Sequence, residues 1–216
     1  MGSMQNNLEQ MLVDLGYMCT DKKNPKLTIE DLKKTGFYEH ALQIYKALSG
    51  IQDVVPLRFG DWDMNFNGLI VELDEQRHFN RYRLITLDSP IYEQLPKFPL
   101  KLYREYCIKY EANCIKAGGF GGNWTNSSSE KQFGHSSMPK IMDENGSARW
   151  KQRAFYDFLK DVSILVHKVP LVRLSIWDEI NTLERPRLLK DILINNDFNG
   201  ITGLRNLIKT RMHIFN

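Results

Sequence analysis

Asp61, Asp63, Glu72 and Asp74 flank an Asn67-Gly68 pair symmetrically, and side chains of these types at this spacing can hold a divalent cation. An Asn-Gly pair between extended runs is a strong short-range hairpin signal, so Val54 to Met64 and Leu69 to Leu73 read as its two strands. A two-residue turn sets Asp63 opposite Glu72 and Asp61 opposite Asp74. Strand alternation puts all four acids on one face, with Trp62, Met64, Val71 and Leu73 on the other, toward the core. A four-residue loop on the same centre leaves both faces unchanged.

Opposed residues on a sheet lie about 5 Å apart, where like charges repel. Compensation comes from raised pKa values, from nearby Lys or Arg, or from a divalent cation with oxygen ligands. With Gln76 and His78 adjacent and no cysteine in reach, the donors are hard and suit Mg²⁺, with Mn²⁺ as substitute. The plainer alternative is a solvated face whose acids are bridged to Arg77, Arg81 or Arg83. The apolar run Leu69-Ile70-Val71 argues instead for burial of both faces. A hard metal among such acids activates water for attack on a phosphodiester.

The elements that must hold this hairpin are legible in outline. Apolar spacing predicts helices over Met4 to Gly16 and Ile29 to Leu48, the second capped by Thr28 with Asp31 three residues on and open to division at Gly36. Further helices are expected over Leu100 to Ala117 and Ala148 to Val166, and a buried strand over Leu171 to Trp177. Residues 118–137, rich in Gly, Ser and Asn, read as a flexible loop, either passive or ordering on a ligand through Trp124, Lys131 and His135. His40, His135, His167 and His213 lack ligand spacing. Strands, helix, then strand imply an α/β fold with a mixed central sheet flanked by helices.

The run from Asp61 to Glu72-Leu73-Asp74-Glu75-Gln76-Arg77-His78 resembles the PD-(D/E)XK restriction-endonuclease-like nucleases, most closely the branch of the very-short-patch repair endonuclease and its small relatives. Those relatives carry an Asp on one hairpin strand and an apolar run ending in Glu-x-Asp-Gly-x-x-His on the other. The helix around Gln152 to Leu165 and Val169-Pro170-Leu171-Val172-Arg173-Leu174 look like the helix and strand that complete that core. The resemblance implies Asp61 and Glu72 as metal ligands, Asp74 as a further ligand or structural acid, His78 as a group that positions or deprotonates water, and Glu39 as an additional acid. Gln152 and Tyr156 resemble the Gln-x-x-x-Tyr pair of RecB-like nucleases. The usual motif lysine is replaced by Asp74 and the usual glycine by Glu75, so charge neutralisation at a phosphate falls to Gln76, His78, Lys151 or a second metal.

On this reading residues 4–216 form one nuclease domain, with its core in 29–79 and 148–180, an insert over 80–147 that sets substrate choice, and a basic segment over 185–216. The expected activity is Mg²⁺-dependent cleavage of DNA, double-stranded by preference, as in a type II restriction enzyme or another bacterial defence nuclease. Arg77, Arg81, Arg83, Trp124, Lys131 and Lys151 are the expected nucleic-acid contacts. A homodimer would suit cutting both strands of a symmetric site. The alternatives are a catalytically inactive nucleic-acid-binding protein of the same fold and an RNA-directed nuclease or toxin.

The 216 residues carry 29 Lys and Arg against 26 Asp and Glu, a net charge of +3, with 42% hydrophobic residues. Whole-chain disorder is excluded by that composition, and the charge alone makes no case for nucleic acid. Val162 to Trp177, the longest apolar stretch, is interrupted by His167, Lys168 and Arg173 and is too short to span a bilayer. Cys19, Cys107 and Cys114 read as reduced thiols, and the cytoplasm is the expected compartment.

Overall fold

A computed structural model describes residues 2–21 and 25–212, so His213 and the last residues of the basic segment lie outside the described residues. The chain runs α1 (Ser3–Asp14), α2 (Ile29–Lys34), α3 (Tyr38–Ala47), β1 (Met64–Phe66), β2 (Leu69–Asp74), a 3-10 turn (Gln76–His78) and α4 (Arg81–Thr86). It continues with α5 (Leu100–Lys109), α6 (Glu111–Gly118), α7 (Gly121–Trp124), α8 (Ser127–Phe133), α9 (Ala148–His167) and β3 (Leu171–Ser175). Last come β4 (Glu179–Asn181), β5 (Pro186–Leu188), α10 (Leu189–Asn195) and α11 (Ile201–Arg211).

The hairpin forms in the expected register, Met64 opposite Val71, Asn65 opposite Ile70 and Phe66 opposite Leu69, with Gly68 at φ +80° in the turn. Its first arm is shorter than expected. Residues 54–63 are not strand, since Pro56 has no N–H for a ladder and Val54 lies exposed rather than packed. On the far side of β1 the segment after α1 bridges Cys19 to Phe66, and Thr20 N donates to Asn65 O at 3.0 Å. Beyond β2 lies β3, parallel, pairing Glu72 with Arg173 and Asp74 with Ser175. A parallel partner needs a crossover, and α9 supplies it, starting at Ser147, whose hydroxyl accepts from Trp150 N, and ending at Lys168 in the left-handed region. The architecture is thus mixed α/β, a small mixed sheet flanked by helices.

Several expectations change. Gly36, at φ +79°, ends one helix, so the expected 29–48 helix is two, with the Thr28 and Asp31 capping box intact. The 100–117 helix likewise breaks at Tyr110. The largest correction is 118–137, which folds into α7 and α8 instead of a flexible loop. Asn126 and Ser129 there form a reciprocal cap, and Trp124 packs edge-on against Trp150 at 5.0 Å. The Ser and Asn residues that resembled linker composition are helix-starting groups.

One buried apolar cluster runs from Leu8 to Ile208 and joins core, insert and C-terminal segment. No helix among the described residues is long and apolar enough to cross a membrane. Cys107 and Cys114 are free and buried, Cys19 free and exposed.

Candidate active site

All six residues of β2 are buried, so Glu72 and Asp74 lie inside the protein at 2% exposure each. A carboxylate at such depth must be paired or neutralised. Glu72 meets Lys160 of α9, whose Nζ lies 2.9 and 2.8 Å from its two oxygens. Glu72 Oε1 also accepts from Asp63 N at 2.9 Å, while Asp63 Oδ2 accepts from Leu73 N at 2.9 Å. Asp63 and Glu72 therefore extend the hairpin ladder by one step through side chains. Burial pushes the Glu72 carboxyl up to about 7, with Lys160 opposing and Asp63 reinforcing the rise.

Asp74 is gripped by Arg173 of β3, with Nη1 2.8 and 3.1 Å from its oxygens, and accepts from the Tyr103 hydroxyl at 2.9 Å. The same guanidinium reaches Asp161 through Nε at 2.6 Å and lies 3.7 Å from Asp157. Asp161 in turn accepts from Arg83 at 2.7 Å and from the Tyr92 hydroxyl at 2.8 Å. Burial opposes the Arg173 charge, but Asp161, Asp74 and Asp157 outweigh it and hold the group well above its ordinary value. Asp157, Lys160 and Asp161 lie at i, i+3 and i+4 on α9, one face of one helix.

His78 closes the cluster. Its Nδ1 lies 2.8 Å from Asp157 Oδ2 and 3.3 Å from Asp74 Oδ1. With Glu72 ionised, the directly paired groups are four carboxylates, Glu72, Asp74, Asp157 and Asp161, against three cations, Lys160, Arg173 and Arg83, so one further positive charge balances them. A proton on His78 or a bound cation supplies it. Burial raises the Asp157 pKa, but His78 and Arg173 overcome it and hold the carboxyl well below the usual range.

Asp74, His78 and Asp157 form a group that could hold a metal ion, with one donor atom from each within 4.8 Å of the others. Ligand bonds of about 2.1 Å at right angles leave donors about 3 Å apart. Both His78 contacts lie near that edge length, and two carboxylates with one imidazole suit a Mn²⁺-like ion better than a soft one. His78 is the exposed member, its side chain 22% accessible, and it lines a recess of about 300 Å³ with Asp63, Leu73, Glu75, Arg77 and Arg153.

The four-acid cage expected from the hairpin does not form. Asp61 is exposed and joins the cluster only through its backbone carbonyl, which accepts from Lys160 at 3.0 Å, because β1 ends at Met64 and no ladder holds Asp61 opposite Asp74. Asp63 caps a backbone amide, and Glu72 is occupied by lysine. Among the described residues, Gln76 bonds to none of these groups and Glu39 is exposed on α3 without a tie to them.

Expected nucleic-acid contacts divide in the same way. Arg83 is 1% exposed inside the ion network and Trp124 1% exposed in the core, its indole N–H donating to Ser137 O, so neither can reach a ligand. Lys151 is buried with Nζ on Asn145 Oδ1 at 2.6 Å, and that burial lowers its pKa. Arg81 is held two-pronged by Glu111 at 2.9 Å on each side. Lys131 is exposed on α8, and Arg77 lines the recess. Gln152 bonds Ser128, and Tyr156 accepts from Gln132, so this pair fastens α8 to α9 and touches no acid.

Sequence reading missed Asp157, Lys160, Asp161 and Arg173. Arg173, in the middle of an otherwise apolar buried strand, was the available signal, because a buried arginine requires a carboxylate partner.

The model of a family of unknown function, DUF7255, matches residues 43–195, a span that contains the hairpin, α9, β3 and every group of the ion network. No curated protein and no solved structure matches the chain.

Proposed function

The chain belongs to the DUF7255 family of unknown function, and we propose that it is a divalent-metal-dependent nuclease with a restriction-endonuclease-like core, acting on DNA. The observation that carries this reading is the convergence of Asp74, His78 and Asp157 beside an open recess. The antiparallel hairpin joined through α9 to a parallel strand supports it, because these are the pieces that the motif resemblance calls for.

A divalent ion held by these three side chains supplies Lewis acidity and a bound water of lowered pKa. Arg173 and Tyr103 hold the Asp74 carboxylate in one orientation. His78 stands at the mouth with its ring within reach of solvent, and the Nδ1 that lies 2.8 Å from Asp157 would turn to the ion when one is bound. With a doubly charged ion and the three paired cations, the cluster exceeds its four carboxylates by one positive charge, which favours an anionic phosphodiester in the recess.

The test is incubation of plasmid DNA, and of a single-stranded RNA in parallel, with Mg²⁺ or Mn²⁺, for the parent chain and His78→Ala. Metal-dependent DNA strand breaks that fall about 100-fold in the variant support the assignment. Cutting that persists in His78→Ala removes the site, and cutting of RNA alone changes the substrate. A second reading, a nucleic-acid-binding protein of the same fold without catalysis, is favoured by the capping of Glu72 and Asp74 by Lys160 and Arg173. It predicts salt-dependent binding that EDTA leaves unchanged and no strand breaks.

A further inference from the structure

Arg153 is a half-buried cation that the ion network does not include. It lies on α9 one turn before Asp157, half-buried, and makes no hydrogen bond or ion pair among the described residues. Lys160, Arg173, Arg83, Arg211 and Arg81 are all matched to acids. Burial lowers the Arg153 pKa, the Arg77 charge lowers it further, and the Asp157 carboxylate one turn away only partly offsets them. Arg77 packs over Gly118 and donates to the neutral Asn123 side chain, and it too has no carboxylate partner among the described residues. Two guanidiniums that repel one another and border one recess form a place where an anion relieves both desolvation and repulsion.

The recess, of about 300 Å³, has room for a phosphate group with part of its nucleotide. Asp63 and Glu75 also border it. Asp63 is engaged by the Leu73 amide, whereas the Glu75 carboxylate is unbonded among the described residues. Glu75 repels an anion placed beside it, so the two guanidiniums are the groups in the lining that favour one.

We propose that Arg153 and Arg77 form a phosphate clamp that seats one phosphate group of a polynucleotide beside His78. This rests on the nuclease reading only for what carries the phosphate. The clamp itself is a binding site, and Arg153 within it is a substrate-positioning residue. A backbone diester and a terminal monoester present the same oxygens to the two forks, so the test separates them.

Fluorescence anisotropy with 12-nucleotide single-stranded DNA, carrying either a 5′-phosphate or a 5′-hydroxyl, is measured in Ca²⁺ and in EDTA for the parent, Arg153→Gln, Arg153→Lys, Arg77→Gln and Lys34→Gln. Arg153→Gln and Arg77→Gln are each expected to weaken binding by about tenfold and to reduce the salt slope by about one. Arg153→Lys should recover part of that loss, and Lys34→Gln, exposed on α2 and bordering no part of the recess, should bind like the parent. Equal parental affinity for both oligonucleotides identifies a backbone diester. A 5′-phosphate preference that vanishes in Arg153→Gln identifies a terminal one. A parent that binds neither, or folded Arg153→Gln and Arg77→Gln that bind as tightly as the parent, overturns the clamp. Arg77→Gln carries the test if Arg153→Gln does not fold. Strand cleavage is scored separately in Mg²⁺ and Mn²⁺, so loss of the nuclease reading leaves the binding result standing.

Discussion

The two sides of α9's charged face differ in how completely their charges are matched. On the inner side Lys160, Arg173 and Arg83 each meet a carboxylate at 2.6–2.8 Å, and the groups are nearly inaccessible. On the outer side Arg77, Arg153 and Glu75 are half-buried and without ionic partners among the described residues, while His78 beside them pairs with Asp157 and Asp74. Buried charges must be neutralised for the chain to fold, so matched pairs mostly report on the fold. Charges left unmatched at an accessible recess serve nothing in folding and point to a ligand. Asp74 and Asp157 belong to both sides, and through them the inner network orients what the outer side presents.

Breaking the inner side should cost the most. Arg173→Leu strands Asp74, Asp157 and Asp161, and urea unfolding should report a loss of roughly 3–5 kcal/mol or no folded protein at all. An Arg173→Leu chain as stable as the parent would dissolve the contrast between the two sides. His78→Ala, on the outer side, should cost less, about 1–2 kcal/mol, because Asp157 loses one partner but keeps Arg173, and Mn²⁺ is expected to raise the melting temperature of the parent but not of the variant.

Lys160→Met falls between these, because the Glu72 that it strands can take up a proton. A loss of about 2 kcal/mol is expected, with part of it recovered in the double variant with Glu72→Gln, as a double-mutant cycle would measure. Glu72 also sets a pH dependence. Its pKa rises from 4.5 to about 7 on folding, so its contribution to stability is complete below pH 4.5 and is lost as pH rises through about 7. Thermal melts between pH 5 and pH 8 should fall for the parent and flatten in Glu72→Gln. Arg81→Ala removes an exposed pair with Glu111 and should change stability by less than about 1 kcal/mol.

Within the site, the hairpin and its buried acids could be read from the chain, since Asn67-Gly68 sets the register and Leu69-Ile70-Val71 requires burial. The surrounding 118–137 segment is not legible in the sequence, because Ser and Asn serve linkers and helix caps alike and composition does not distinguish them. The reach of the acidic face was overestimated for a similar reason. Alternation assigns Asp61 to a face only where a strand exists, and the ladder stops at Met64.

Local interactions decided what the sequence by itself determines here: the turn, the Thr28 cap, the extent of α9 and the strand that follows it, each fixed by residues a few positions apart. Which cation neutralises which acid belongs to the tertiary structure. Lys160 lies 88 residues from Glu72 and Arg173 lies 99 from Asp74. Such pairs are chosen by the crossover that lays α9 and β3 against β2. Only after that packing has matched the interior charges does an unpaired arginine at the recess become visible.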